Sequence, residues 1–154
     1  KDVPEFQKYA ASTAFVEGWG LYSEQLANEM GLYSNDVQQL GRLGNDAWRA
    51  CRLVLDTGMH GMGWSRDQAI NFFLENSPIE NTNANIETDR YIAWPGQACA
   101  YKMGQLAIME LRKNAEEDLG ESFDIKLFHD EVLKDGGITI PILRKKIEEF
   151  VASA

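Results

Sequence analysis

A run near the start of the chain, residues 15–24, restricts the fold more than any other stretch. Its sequence, FVEGWGLYSE, carries large apolar side chains at three- and four-residue steps, the spacing of one face of an α-helix. Two glycines in such a helix cost about 1 kcal/mol each relative to alanine, so we expect a closely packed helix or a ligand to compensate. The residues around Glu17 are small: Ala10, Thr13, Ala14 and Gly20. Glu17 is therefore either a solvated side chain beside a helix kink or a carboxylate presented to something buried, such as a metal ion.

The rest of the sequence predicts helices almost throughout, and hence an all-α, bundle-like fold in one domain, residues 1–154. No alternating run of β-branched residues is long enough for a strand, and residues 138–140 are the only hint of one. A polar, turn-rich segment at 81–85 is the best loop candidate. The predicted helices cover about 5–30, 34–62, 65–76, 86–94, 95–119, 124–133 and 141–151. Residues 77–80 also carry the signals of a helix start.

Composition excludes several classes of partner. The formal net charge is -9, with 44% hydrophobic and 25% charged residues. Nucleic acids and anionic membranes bind clustered Lys and Arg, so neither is an expected partner. No apolar run approaches the ~20 residues of a membrane span. Cys51 and Cys99 lie in apolar helical contexts, and we expect two buried thiols.

A charged face on the second predicted helix is the next candidate site. Its residues recur at three- and four-residue steps: Arg42, Asp46, Arg49, Arg52, Asp56 and His60. One interpretation is an exposed ladder of ion pairs, each worth only ~0.3–0.5 kcal/mol. The other is that Asp56 holds one imidazole nitrogen of His60 and fixes its tautomer. Glycines on both sides of His60 indicate a close approach, whereas His129 resembles an ordinary helical histidine.

A third candidate is the stretch RYIAWPGQACAYK, residues 90–102. A helix beginning at Pro95 would present Gln97 and Tyr101 on one face, with Lys102 beside them. Free N–H groups at a helix start, a Tyr hydroxyl and a Lys would suit an anionic group or an oxyanion. The other interpretation is an aromatic-rich helix junction with Tyr hydroxyls at the edge of the core.

Taken together, three stretches resemble the C-terminal part of a bacterial family, family 885 of the domains of unknown function. They are FVEGWGLYSE, WRACRLVLDTGMHGMGW and RYIAWPGQACAYKMG, in this order. Members of that family look like zinc metallopeptidases. Upstream of the Glu-Gly-Trp stretch they carry a His-Glu element similar to the metal-binding helix of gluzincins, in which two His and a later Glu hold zinc. The resemblance implies a hydrolase that cleaves peptide substrates with metal-bound water.

The resemblance also implies roles for individual residues. Glu17 matches the later zinc-ligand Glu, and His60, supported by Asp56, matches a partner for the developing oxyanion. Four residues match a region that would contact the substrate backbone or its C-terminal carboxylate: Tyr91, Gln97, Tyr101 and Lys102. The resemblance also implies that Tyr101, like His60, is catalytic.

One departure from the family pattern limits what this chain is expected to do alone. Its only histidines are His60 and His129, so the gluzincin His pair is missing. We expect an incomplete zinc site, no peptidase activity without the N-terminal part of the same protein, and an exposed face on the first helix that favours a homodimer. A bacterial export signal is not found, and the compartment stays open. The alternatives are a non-catalytic helical interaction domain and a di-metal helical bundle, which would need Glu-x-x-His pairs that the sequence lacks.

Overall fold

A computed structural model describes residues 4–153, and these fold into α-helices joined by short turns, with no β-strand among them. The all-α prediction is therefore confirmed, and the hint of a strand at 138–140 is wrong. The seven α-helices of this part of the chain are α1 Thr13–Glu29, α2 Asp36–Gly61, α3 Arg66–Asn76, α4 Asn81–Ala93, α5 Ala100–Leu119, α6 Ile125–Leu133 and α7 Ile140–Ser153. Single 3-10 turns occur at Glu5–Lys8, Gln97–Cys99 and Gly120–Ser122.

Helix starts differ from the predictions in several places. The first predicted helix is divided, because the 3-10 turn Glu5–Lys8 ends well before α1 begins at Thr13. Asn35, rather than Ser34, caps α2 by accepting a hydrogen bond from the Gln38 backbone. The Ser65 capping box of α3 is confirmed, whereas the start predicted at 77–80 is wrong.

The segment predicted as a loop, 81–85, is the first turn of α4, so that prediction is wrong. Three side chains at four- and three-residue steps, Ala84, Thr88 and Tyr91, are buried along this helix. Their burial outweighs the low helix propensity of the Asn and Thr residues around them, because tertiary packing commonly overrides local preference.

Close packing of α1 on α5 explains one of the two glycines in α1. A Cβ atom added at Gly18 would lie 2.4 Å from the backbone of Gly104, and one added at Gly104 would lie 1.8 Å from the carbonyl oxygen of Ala14. Neither position has room for a side chain. The close neighbour that the sequence led us to expect is therefore α5. Gly20, by contrast, has nothing within 4 Å of the position that an added methyl group would occupy, and it lies on the open face of α1.

Two apolar clusters make up the core. One joins α1, α5, α6 and α7 through residues that include Phe15, Tyr22, Ile108, Phe128 and Leu143. The other joins α2, α3 and α4 through residues that include Cys51, Leu55, Phe73, Ala84 and Tyr91. The segment from Trp94 to Ala100 contributes Ala98 to the second cluster and leads into α5, which belongs to the first, and the candidate site is built around this segment.

His129 has the structural role expected of it. Its Nε2 lies 2.7 Å from the Tyr22 hydroxyl, which also accepts a hydrogen bond from Arg112. Burial and the neighbouring Arg112 charge lower the pKa of His129 below its ordinary value. A neutral imidazole can accept the Tyr22 proton, so His129 links α6 to α1 within the core.

Of the two cysteines, Cys51 is buried and Cys99 is half-buried, and both are free thiols. The helices of the described residues are too short or too polar to cross a membrane.

Candidate functional site

Asp56 joins the end of α2 to the turn before α5. Its carboxylate is buried, at 3% exposure, and both oxygens accept hydrogen bonds from the Gly96 backbone N–H, at 3.0 and 2.9 Å. Gly96 has a φ of +83°, a left-handed conformation that a glycine adopts without strain. The 3-10 turn Gln97–Cys99 follows directly. The N–H group at this turn is therefore already bonded to Asp56, which corrects the prediction of free N–H donors at a helix beginning with Pro95.

His60 is held by the same carboxylate. Its Nδ1 lies 3.0 Å from Oδ1 of Asp56 and 3.0 Å from the Asp56 carbonyl oxygen. Both are acceptors, so Nδ1 carries a proton and the neutral ring would have its lone pair on Nε2. Nε2 has no partner among the described residues, and the side chain is 30% exposed. The contact predicted between Asp56 and His60 is present, and the catalytic role of His60 stays a prediction.

Gln97 is oriented by two arginines. Its Oε1 accepts hydrogen bonds from Nη2 of Arg52 at 3.0 Å and from Nη1 of Arg90 at 3.4 Å. Because the carbonyl side of the amide faces these guanidinium groups, the Nε2 donors face away from them. No other hydrogen bond of the Gln97 side chain occurs within residues 4–153, so its amide protons are available to a ligand.

Tyr91 lies inside the core, at 1% exposure. Its hydroxyl donates to Glu87 at 2.8 Å and accepts from the Trp48 indole at 3.3 Å. Burial raises the pKa of Tyr91 well above its ordinary value. The substrate-binding role predicted for Tyr91 stays a prediction, and in this geometry it would be indirect, through the Arg52 side chain stacked on its ring.

Glu87 is the carboxylate that lies beside the positive charges of Arg90 and Arg52. Burial alone would raise its pKa, but hydrogen bonds from Arg90 and Tyr91, together with the charges of Arg90 and Arg52, outweigh burial and lower the pKa. Glu87 is therefore ionised at neutral pH and committed to neighbours on its own helix.

Tyr101 and Lys102 begin α5 in different environments. The Tyr101 ring is stacked on Arg52, with the guanidinium carbon 4.3 Å from the ring centre. Its hydroxyl has no hydrogen-bond partner in the described chain. Lys102 Nζ is 2.8 Å from Oδ1 of Asp46 on α2. The hydroxyl of Tyr101 is thus open to a ligand, whereas the Lys102 ammonium already has a carboxylate; both predicted roles stay predictions.

Glu17 lies on α1, beside the crossing with α5. It is half-buried, and within residues 4–153 its side chain has neither a hydrogen bond nor an ion pair. Its neighbours on the same helix, Ala14 and Gly18, are the residues that contact Gly104. The Glu17 carboxylate is therefore not occupied by any described residue.

A pocket of about 440 Å³ opens beside the 3-10 turn, where α1 begins. The turn that contains Gln97 and the start of α1 form two of its walls. Glu17 and His60 do not line it. Burial and the Asp56 charge raise the pKa of Cys99, so the thiol in its wall stays protonated at neutral pH. The full lining is Thr13, Ala14, Trp94, Gly96, Gln97, Cys99, Ala100 and Met103.

The donor set determines what metal chemistry this chain could support. Nowhere in residues 4–153 do three His, Cys, Asp or Glu side chains converge as a metal site requires. A closed or catalytic zinc site uses at least three protein ligands. Glu17 offers a carboxylate of the correct chemical type, so the residues present fit one ligand position and no more.

The sequence interpretation missed the two arginines, Arg49 and Arg52. The pattern suggested an exposed ladder of alternating charge, yet the carboxylates of Asp46 and Asp56 bond to Lys102 and to Gly96 and His60. Arg52 is buried at 3% exposure, so the exposed-ladder interpretation is wrong for it. The aromatic residues at 91 and 101 were the available signal, since guanidinium groups stack on such rings.

Comparison with known proteins places the chain in a family. A family model described as "Bacterial protein of unknown function (DUF885)" matches residues 1–147. Among curated proteins the comparison found no match.

Two solved structures are similar to this chain. One is a proposed lipoprotein from Colwellia psychrerythraea, 43% identical over 92% of this chain, with a TM-score of 0.89. The other is a proposed lipoprotein of unknown function from Shewanella oneidensis, 26% identical over 86% of this chain, with a TM-score of 0.81. This chain spans 24% of each of those proteins, about a quarter of their length.

Proposed function

This chain belongs to the bacterial family DUF885, and we propose that it supplies the C-terminal part of the active site of a zinc-dependent peptidase. The observation that carries the proposal is the arrangement around Asp56. One buried carboxylate binds Nδ1 of His60 and the Gly96 backbone, which leaves Nε2 of His60 without a partner among the described residues. A carboxylate that fixes an imidazole and leaves its other nitrogen free is a common arrangement in acid–base and metal sites.

Glu17 is the residue proposed to bind zinc, with the remaining ligands supplied by the rest of the protein. Its support is chemical, because it is a half-buried carboxylate with no partner among the described residues. When bound, zinc supplies an activated water molecule and polarises the scissile carbonyl.

The other residues act on the peptide. His60, once protonated on both nitrogens, donates from Nε2 to negative charge that develops on the carbonyl oxygen, while Asp56 stabilises the imidazolium at Nδ1. Tyr101 has a hydroxyl without a hydrogen-bond partner in the described chain, and this hydroxyl can donate to the peptide. Gln97 has amide protons that can bind a peptide carbonyl, since Arg52 and Arg90 occupy its Oε1. Lys102, paired with Asp46, is the weakest of the proposed substrate contacts.

Peptide hydrolysis by the native protein tests this proposal through its two histidines. His60→Ala should lower kcat about 10²–10³-fold with little change in KM, because an oxyanion donor acts mainly at the transition state. His129→Gln is the matched control. It removes the only other histidine of this chain and keeps an acceptor for Tyr22, so kcat should stay within about twofold.

Two results would count against the peptidase. A kcat for His60→Ala equal to that of the unaltered protein would remove His60 from the mechanism. A native protein that cleaves no peptide, with zinc supplied, would favour a non-catalytic helical interaction domain.

A further inference from the structure

The three arginines of α2, Arg42, Arg49 and Arg52, have no carboxylate within salt-bridge distance in the described part of the chain, and two of them, Arg49 and Arg52, share the ring of Tyr101. Arg52 is only 3% exposed. Removing a guanidinium from water without a directly paired anion is costly. Arg52 interacts with the charge of Glu87 only beyond salt-bridge distance, since that carboxylate is bonded to Arg90 and Tyr91.

The aromatic rings around these arginines compensate only in part. Arg52 is stacked on Tyr91 and Tyr101, with its guanidinium carbon 5.1 and 4.3 Å from the ring centres. Arg49 is stacked on Trp48 and on the same Tyr101, at 5.0 and 5.3 Å. A cation–π contact gives the guanidinium N–H groups no oxygen or nitrogen acceptor, so these contacts do not supply the hydrogen bonds that the arginines lack.

The N–H donors of these arginines are largely unused. Arg52 bonds to Gln97 through Nη2, but its Nε is fully buried and has no hydrogen-bond partner. The Arg49 side chain makes no hydrogen bond within residues 4–153, and neither does the Tyr101 hydroxyl. Arg49 and Tyr101 are half-buried, so the group of three reaches the surface.

The local charges show what would complete this group. Four cations take part in the contacts around it: Arg49, Arg52, Arg90 and Lys102. The three carboxylates there are already bonded elsewhere, Asp46 to Lys102, Asp56 to Gly96 and His60, and Glu87 to Arg90 and Tyr91. One positive charge remains, which a monoanion would neutralise.

We propose that Arg49, Arg52 and Tyr101 form an anion site that binds a carboxylate carried by a peptide. The peptide as ligand rests on the proposed function, whereas the anion site rests on the unpaired arginines alone. Planar guanidinium groups match the geometry of a carboxylate. This assignment replaces Lys102 as the main carboxylate contact, because Lys102 is paired with Asp46.

Calorimetric titration of the chain with small peptides tests the site without any catalysis. The probes are N-acetyl-Ala-Ala with a free C-terminus, the same peptide as its C-terminal amide, and N-acetyl-Asp-amide, which carries a side-chain carboxylate alone. The free acid should bind at least about tenfold more tightly than the amide. If N-acetyl-Asp-amide binds as tightly as the free acid, the site accepts any peptide carboxylate. If it binds more weakly than the free acid, the site is specific for the C-terminal carboxylate.

Variants locate the effect on the molecule. Arg49→Gln should weaken binding of the free acid about tenfold or more, and Tyr101→Phe several-fold, with binding of the amide unchanged. Arg42→Gln is the matched control, since it removes the same charge from the same helix and Arg42 bonds only to Gln25 and Gln39 among the described side chains. Circular dichroism identifies any variant that has lost its fold. If Arg52→Gln does not fold, Arg52→Lys is used in its place, because it retains the buried charge.

Equal affinity for acid and amide would overturn the anion site, as would an equal loss in Arg42→Gln. Inorganic phosphate that binds as tightly as the free acid would overturn the peptide carboxylate as ligand. The peptidase proposal can fail separately, because a native protein without peptidase activity would leave selective binding of the free acid intact.

Discussion

The carboxylate of Asp56 connects separate parts of the chain. It is buried near the end of α2, and it binds a side chain four residues later together with a backbone group forty residues later. Its two oxygens face only donors. The geometry of the turn before α5 and the orientation of His60 therefore depend on the same ionised group.

Asp56→Asn should disrupt both contacts. The new amide group would direct N–H donors at the Gly96 N–H or at Nδ1 of His60, and leaving one buried donor unpaired costs about 1–3 kcal/mol. Urea unfolding of the chain measures that loss. In the native protein, the same change should lower kcat, because a neutral amide no longer stabilises the His60 imidazolium at Nδ1.

An exposed ion pair provides the comparison. Asp89→Asn removes the partner of Arg66, and both side chains are exposed. Its cost should stay below about 1 kcal/mol. A cost for Asp56→Asn as small as that for Asp89→Asn would contradict the role given to the buried carboxylate.

Of the contacts in the site, the sequence predicted only those between residues close together in the chain. The Asp56–His60 contact spans four residues of one helix, and helical spacing is enough to infer it. The partners of Arg49, Arg52 and Asp46 depend on how α2 lies across α4 and α5. Helical spacing assigns partners on the same helix to these side chains, and the structure adds contacts on α4 and α5 that spacing does not predict.

Among the helices, the contact of α1 with α5 is the closest. It depends on two glycines that face each other, Gly18 and Gly104, where even one methyl group would collide with backbone atoms. Backbone cannot move aside as a flexible side chain can, so the two helices would have to separate. Such separation would also open the apolar cluster that α1 and α5 share.

Gly104→Ala should destabilise the chain by about 3 kcal/mol or more, at the upper end of the usual cost of overpacking. Gly20→Ala is the matched control on α1, because nothing lies within 4 Å of the added methyl. Removing a glycine from a helix stabilises it by up to about 1 kcal/mol. Urea unfolding of the chain should therefore give shifts of opposite sign, and two shifts of the same sign would contradict this packing.

The helices themselves were predictable to different degrees. Most of α2, α3 and α5 followed from apolar periodicity and end signals. The first turn of α4 did not, because Asn and Thr favour turns and only the tertiary burial of Ala84, Thr88 and Tyr91 makes it helical. The 3-10 turn before α5 was also missed, since it depends on the distant Asp56.

Two apolar clusters make up the core, and the turn before α5 joins them, since it contributes Ala98 to one cluster and leads into α5, which belongs to the other. The site involves several polar groups of residues 4–153 that have no hydrogen-bond partner or an incomplete set of partners. They are the Glu17 carboxylate, Nε2 of His60, the Gln97 amide, the Tyr101 hydroxyl, the Arg49 guanidinium and Nε of Arg52. The two similar solved proteins are about four times as long as this chain. In the proposed function the rest of the protein completes these groups, and the homodimer expected of the chain alone stays a prediction.

The most direct measurement is the zinc content of the native protein with and without the Glu17 carboxylate. Elemental analysis should find one zinc per chain, and Glu17→Gln should weaken zinc binding by at least the ~10–100-fold typical of residues that only support a ligand. Glu24→Gln is the matched control on α1, where Glu24 is bonded to Asn45, and it should keep its zinc. Full zinc occupancy in Glu17→Gln, or peptide cleavage that a chelator does not affect, would contradict a zinc peptidase in which Glu17 is a ligand.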